Sequence, residues 1–384
     1  MSHAKAKPAP APIPAVDLQA QYRRLKPAID RRIQRVLEHG RFVLGPEVAE
    51  FEEALARYAG ARHCVGVSSG TDALMIAMMA ERIGRGDAVF MPAYSFRATA
   101  EVPVRLGATP VFVDIEPGTL NIDAGDLERR IELVKREGRL NPRAIVAVDL
   151  FGLPAAYEAL APVAERSGLS LLADAAQSFG ARLGNRQVGS LAPTTAVSFY
   201  PSKPLGGYGD GGALLTDDAE RAAKFRALRQ HGAGPDRIEV LAIGINGRLD
   251  TLQAAVLLAK LEAFGDELRQ RQRVADAYDR HFTGRIETQS RPKGRASALA
   301  QYAILIEDRD RVKATLAADG IGSAIYYHRP LHLEPPLLRF GPGPGALPVA
   351  EATAKRNLCL PMHADLDDSQ IDRVAEAVLA AVKP

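Results

Sequence analysis

The chain has 384 residues, 47% hydrophobic and 25% charged, with a formal net charge of +3. That length suffices for two domains and a sizeable core, and the interspersed charges form no concentrated basic face of the kind that binds nucleic acid. Cys64 and Cys359 are far apart, fit no metal spacing and read as reduced thiols of a cytoplasmic protein, and with no run of 18 apolar residues no membrane span is expected.

Residues 1–14 are basic and rich in Pro and Ala, without an apolar stretch. They predict a disordered tail, not a signal peptide. Val48, Phe51, Leu55 and Tyr58 mark one face of a helix. From about 61 to 216, β-rich runs at 63–67, 88–91, 110–113, 144–148, 169–173 and 195–199 alternate with helical periods at 72–80, 96–106, 123–137 and 155–167. This pattern predicts an α/β fold with a mainly parallel central sheet covered on both faces. A helix over 219–229 comes next, then a helical period over 250–278 that links a large domain (15–264) to a smaller C-terminal α/β domain (265–384). The latter is expected to hold a strand at 303–306 and helices at 310–319 and 368–382. No internal repeat is seen.

In such sheets ligands bind beyond the carboxyl ends of the strands. Ser69-Gly70-Thr71, Asp174 and Ser198 to Lys203 all fall at or just past such ends. Lys203 can form an imine. Asp174 ends an apolar strand and can hold a pyridinium nitrogen protonated. Together they are the two groups a pyridoxal phosphate enzyme needs. Gly207-Tyr-Gly-Asp-Gly-Gly212 matches the dinucleotide fingerprint G-x-G-x-x-G, but a strand comes after it where a helix is required, so a nicotinamide cofactor is rejected. Ser68-Ser-Gly-Thr-Asp72 opens a helix and suits a phosphate, with an ordinary N-cap as the alternative.

Tyr94 or Phe96 offers an aromatic ring to a cofactor, or fills the core. Gln177 lies one helical turn past Asp174. Asn246 and Arg248 lie just before Asp250, itself a good N-cap, where they can meet a phosphate or substrate. His328 and His332 have i,i+4 spacing, but Pro330 stands between them and no third ligand is evident, so no metal site is expected.

On Ser69-Gly-Thr-Asp-Ala-Leu74, Asp174-Ala-Ala-Gln177, Ser198-Phe-Tyr-Pro-Ser-Lys203, Gly209-Asp-Gly-Gly212 and Asn246-Gly-Arg-Leu-Asp250, the chain resembles the DegT/DnrJ/EryC1/StrS family of sugar-nucleotide aminotransferases. The match runs from Val16-Asp-Leu to Asn357-Leu-Cys-Leu-Pro361. The resemblance implies an aspartate-aminotransferase-like fold (fold type I) and pyridoxal 5'-phosphate as cofactor. It gives Lys203 the covalent link, Asp174 the pyridine nitrogen and Gln177 the O3′ side. Gly70, Thr71 and Ser198 take the phosphate, and Phe96 stacks on the ring. Asn246 is expected to reach the cofactor phosphate of a neighbouring subunit, so a homodimer with shared sites is implied. Relatives that deoxygenate carry histidine at the lysine position; the lysine here favours transamination.

Within the family, the stretches around Lys203 and Asn246 look most like enzymes that aminate C3 of a UDP-linked 2-acetamido-3-keto uronic acid. Those use glutamate as donor and serve surface polysaccharide (lipopolysaccharide, O-antigen) synthesis. The substrate segment departs from their usual His-Tyr-Pro and supplies Tyr326, Tyr327, His328 and Arg329; Arg248 and Arg329 suit a uronate carboxylate. A dTDP-, UDP- or GDP-linked 3-keto or 4-keto deoxysugar is the alternative substrate. A non-transaminating relative, such as a dehydratase, and a cofactor-binding regulator without turnover are the rival functions.

Overall fold

The computed structural model describes residues 11–234, 236 and 238–382. A 22-residue helix, Leu18–His39, comes first and packs its apolar side on helix Thr251–Glu262. It begins where the Asp17 carboxylate accepts from the Ala20 N–H at 2.8 Å and ends at Gly40 in the left-handed region (φ 67°). The sequence reading did not anticipate this helix. The next, Pro46–Ala59, buries Val48, Phe51 and Leu55, the face expected from their spacing.

The central sheet has seven strands in the order His63–Val67, Gly212–Thr216, Thr194–Ser198, Ser170–Asp174, Asn141–Val148, Asp87–Pro92 and Thr109–Val113. Gly212–Thr216 runs antiparallel to both neighbours, while the other adjacent pairs are parallel. Apolar clusters cover both faces, so the inner strands read as continuous apolar runs and not as alternating ones.

The register places the functional edge. Val148 pairs with Asp174, Asp174 with Ala196, and both Val67 and Ser198 with Gly212. Six strands thus end on one edge, and the reversed strand starts there. The connection from Phe199 to Gly211, which carries Lys203, must therefore fold across that edge.

The helical period expected over 250–278 is two helices, Thr251–Glu262 and Phe264–Phe282. They break at Ala263, where Phe264 turns inward and stacks on Phe179 with ring centroids 5.4 Å apart. We propose that the division between large and small domains falls at this break. Beyond it, Glu287–Thr288, Tyr302–Leu305 and Asn357–Leu360 form a three-stranded antiparallel sheet. Side chains of this sheet share an apolar cluster with helices Phe264–Phe282, Arg309–Ala318 and Asp368–Val382.

The disordered tail expected over 1–14 is corrected at its end. Residues 1–10 lie outside the described residues, but Ile13 is buried in that same apolar cluster and bridges Ile321. An apolar side chain that reaches a core orders the backbone around it. Among the described residues no helix is long and apolar enough to cross a membrane.

Candidate active site

The edge is built from a tight meeting of three segments. Ser69 is extended (φ −164°, ψ 165°), and its side chain accepts from the Asp72 N–H at 3.0 Å, capping helix Gly70–Ala80. The N-cap reading therefore holds, and it leaves the first-turn N–H groups of Gly70 and Thr71 directed out of the helix start, where the dipole favours an anion. A Cβ on Gly70 would lie 2.6 Å from the Ser198 Cβ. A Cβ on Gly212 would collide with the Ser69 carbonyl. The backbone is thus drawn into a cradle that only glycine permits at these two positions.

Asp174 ends its strand and is buried. Its Oδ2 accepts from the Thr99 hydroxyl at 3.0 Å and its Oδ1 from the Ala176 N–H at 3.3 Å. Burial pushes the carboxyl up, while Thr99, Ala176 and the field of Lys203 hold it down. Lys203 sits in a turn closed by its N–H on the Tyr200 carbonyl at 2.8 Å. Part of its side chain meets solvent, yet desolvation of the amine lowers it to about 8, against the opposing pull of Asp174. About a tenth of such amines are neutral at pH 7, far more than for an ordinary lysine.

Gln177 is held by both ends of its carboxamide. Phe151 N–H donates to Oε1 at 2.6 Å, and Nε2 donates to the Tyr327 hydroxyl at 3.1 Å. Below this turn lies Asp149, fully buried, accepting from Ala155 N–H (2.8 Å), Tyr157 hydroxyl (2.9 Å) and Ser178 hydroxyl (2.6 Å). Burial pushes Asp149 up to about 7, with those three bonds opposing and the charge of Asp174 adding to the rise.

The two aromatic candidates separate. Tyr94 is fully buried; its hydroxyl donates to the Tyr326 carbonyl at 2.8 Å and accepts from Tyr327 N–H at 2.7 Å. Phe96 is 47% exposed, with its ring 6.2 Å from that of Tyr327. Tyr94 is the core aromatic, and Phe96 leaves its ring open beside Tyr327. Burial raises the Tyr327 phenol well above its ordinary range, and Tyr326 is half-buried beside it.

The remaining candidates are less gathered. His328 and Arg329 are exposed, and Arg329 Nη1 stands 3.7 Å from Glu334. His332 is fully buried against Glu351 at 3.2 Å, so the two histidines occupy different environments. Arg248 is half-buried and bridges Val67, while Ser68 N–H donates to the Gly247 carbonyl at 3.0 Å. This brings the Asn246–Arg248 stretch beside the cradle, with Asn246 exposed. Asp250 departs from its expected capping role: its side chain makes no cap hydrogen bond. The turn is fixed instead by backbone, with Asp250 bridging Val43 and Thr251 N–H donating to the Phe42 carbonyl at 3.0 Å.

Sequence reasoning missed Thr99 and Asp149. Thr99 lies in the singled-out stretch after the second strand, and Asp149 comes directly after the fourth strand, at the level where Asp174 ends the fifth. That shared strand-end position was the available signal.

The donor set fits pyridoxal phosphate. A glycine cradle at a helix start suits the phosphate, a buried carboxylate suits a protonated ring nitrogen, and a lysine of lowered basicity suits a covalent link. A model of the DegT/DnrJ/EryC1/StrS aminotransferase family matches residues 24–379. The UDP-2-acetamido-2-deoxy-3-oxo-D-glucuronate aminotransferase of Pseudomonas aeruginosa is 42% identical over 366 residues, spanning 94% of this chain and 98% of that protein. The UDP-N-acetyl-3-dehydro-alpha-D-glucosamine 3-aminotransferase of Acidithiobacillus ferrooxidans is 38% identical, spanning 95% of this chain and 97% of its own. A solved DegT/DnrJ/EryC1/StrS aminotransferase from Brucella abortus superposes with a TM-score of 0.94 at 45% identity, over 96% of this chain and 99% of that one. The expected fold type I architecture is the one found.

Proposed function

We propose that this chain, which belongs to the DegT/DnrJ/EryC1/StrS aminotransferase family, moves the amino group of glutamate to C3 of a UDP-linked 2-acetamido-3-keto uronic acid. The chain is a pyridoxal phosphate-dependent sugar-nucleotide aminotransferase; the donor, the sugar and the position of amination are what the proposal adds. The observation that carries the aminotransferase chemistry is the placing of Lys203 and the buried, Thr99-bonded Asp174 on one sheet edge, beside the Gly70–Ser198 cradle. Two relatives named for 3-keto UDP sugars support C3. The resemblance in turn supports a cytoplasmic role in surface polysaccharide synthesis.

When bound, the cofactor supplies an aldehyde that takes up the amino group and a ring that accepts the electrons of the broken C–H bond. The protein does the rest. Lys203 Nζ would hold the cofactor and, once freed, would serve as the base that takes and returns the substrate α-proton; its lowered basicity keeps a neutral fraction ready. Asp174 would hold the proton on the ring nitrogen, Gln177 would brace the O3′ side, and Gly70, Thr71 and Ser198 would receive the phosphate.

For the sugar, Arg248 and Arg329 are the uronate readers. Arg329 is half in solvent, with 51% of its side chain exposed, which leaves the shielded Arg248 as the stronger discriminator. A charged hydrogen bond there contributes about 1.5–3 kcal/mol, so Arg248→Met should lower uronate efficiency roughly 10- to 150-fold. Offering the amino-loaded protein the 3-keto uronate, its neutral 3-keto hexosamine counterpart and a 4-keto sugar tests the reading. Equal efficiency with the first two rejects carboxylate recognition, and preference for the 4-keto sugar rejects C3.

A homodimer completes the site in this proposal. Ile238 (85% exposed) and Ile243 (86%), with Val240 and Leu241, form an apolar stretch next to the exposed Asn246. Such a patch on a soluble surface marks an association site, and it would carry Asn246 to a second copy's phosphate. Mixing Lys203→Ala with Asn246→Ala protein should restore activity above the mean of the two parents; activity that never exceeds that mean rejects the shared site.

A further inference from the structure

The loop that carries Lys203 is held from behind by a single helix. Gly207 N–H donates to the Phe199 carbonyl at 2.7 Å, which closes the loop on itself with Lys203 inside it. Behind it runs Thr251–Glu262, on which Gln253 and Lys260 stand two turns apart on one face. Gln253 Oε1 accepts from Tyr208 N–H at 2.8 Å. Lys260 Nζ donates to the Gly206 carbonyl at 2.7 Å and lies 4.3 Å from the centroid of the Tyr208 ring.

Lys260 is only 4% exposed, and among the described residues its ammonium is met by the Gly206 carbonyl and not by a carboxylate within 4.0 Å. A buried ammonium is costly unless its protons and charge are met, and here a peptide carbonyl and an aromatic face meet them. The helix and loop also fit closely. A Cβ on Gly207 would lie 2.8 Å from Gln253 Oε1, and one on Gly209 would lie 2.8 Å from Gln253 Nε2. A Cβ on Gly206 would strike the Pro201 carbonyl, so the loop turns back on the lysine turn as tightly as only glycine allows.

We propose that Lys260 and Gln253 clamp the Gly206–Tyr208 backbone and so fix where Lys203 returns after each half-reaction, with Lys260 a positioning residue. The proposal rests on Lys203 being the cofactor lysine. A lysine that leaves and re-forms its bond must be presented to the same point each time, and small displacements of a reacting group cost rate heavily. The clamp acts through the main chain three to five residues past Lys203, and the contacts of Lys260 are with the Gly206 carbonyl and the Tyr208 ring.

Two variants and two readouts test it. In the cofactor-free protein, Lys260→Met should speed amide hydrogen exchange at Gly207 and Tyr208 by about tenfold or more, with the 144–148 strand unchanged. Lys260→Arg, which keeps the charge and donors, should restore protection. After loading with pyridoxal phosphate, Lys260→Met should also move the pH midpoint of the bound cofactor's absorbance, because Lys203 is shifted from the desolvated position near Asp174 that sets its basicity. Unchanged exchange overturns the clamp. Faster exchange with an unmoved midpoint reduces Lys260 to a structural brace and overturns the positioning role. If Lys260→Met does not fold, Gln253→Met is read the same way at Tyr208. Borohydride labelling of a residue other than Lys203 would instead remove the parent reading, while the exchange result on cofactor-free protein would stand.

Discussion

Gln177 donates through Nε2 to the Tyr327 hydroxyl at 3.1 Å, joining the turn after the fifth strand to a segment 150 residues further along the chain. The amide expected beside the cofactor is thus oriented by the segment expected to hold the sugar. Tyr327→Phe keeps the ring against Phe96 and Tyr94 but removes the acceptor. One such bond contributes about 1 kcal/mol, so kcat/KM should fall roughly fivefold with the fold unchanged by circular dichroism. Steady-state kinetics check this; an unaltered kcat/KM would show that the bond does not matter.

Gly70→Ala adds a methyl group 2.6 Å from the Ser198 Cβ, at the cradle itself. Overpacking of this kind costs about 1–3 kcal/mol. Titration with pyridoxal phosphate should show a Kd raised about tenfold or more. Wild-type affinity in the variant would place the phosphate elsewhere.

Thr99→Val removes the hydroxyl that donates to Asp174 Oδ2. That bond lowers the carboxyl against the upward push of burial. Its loss raises the carboxyl further, so Asp174 stays protonated to higher pH and loses the charge that holds the ring nitrogen's proton. The acid limb of the pH–rate profile should move to higher pH. A profile that keeps its acid limb in place would show that Asp174 does not govern it.

Asp149 makes a stability prediction independent of cofactor. Its carboxyl stands at about 7 in the fold against 3.8 as the ordinary value. The folded chain therefore holds the extra proton between those values, so this group's contribution to stability falls as pH rises across the window and levels off above about 7. Asp149→Asn removes the titration. Relative to wild type the variant should gain roughly 4 kcal/mol between pH 4 and pH 7.5. Denaturant melts of cofactor-free protein at the two pH values measure it, and parallel changes in both proteins would contradict it.

Much of the sheet edge was legible in the sequence because strand ends carry their own marks. The apolar runs stop at Val67, Asp174 and Ser198, beside a Ser-Ser-Gly turn, a carboxylate and a proline turn respectively. The reversed strand Gly212–Thr216 gave no sign of its direction, since a buried strand reads the same either way. The helix Leu18–His39 was overlooked although Asp17 and Gly40 bracket it and Tyr22, Leu25, Ile29, Ile33 and Val36 keep a helical spacing, because charged residues crowd the segment and Pro27 stands inside it. Contacts such as Lys260 with Gly206, or Thr99 with Asp174, join segments far apart in the chain and have no local pattern to betray them. Arg329 illustrates the converse: the motif placed it beside the sugar, while its exposure is set by the loop around it.

The most direct measurement is borohydride reduction of the pyridoxal phosphate-loaded protein with subsequent peptide mapping. The cofactor should be fixed on Lys203 alone, and Lys203→Ala should carry no fixed cofactor and transfer no amino group. Cofactor fixed on Lys260 or on any other lysine of the wild-type chain would contradict the assignment.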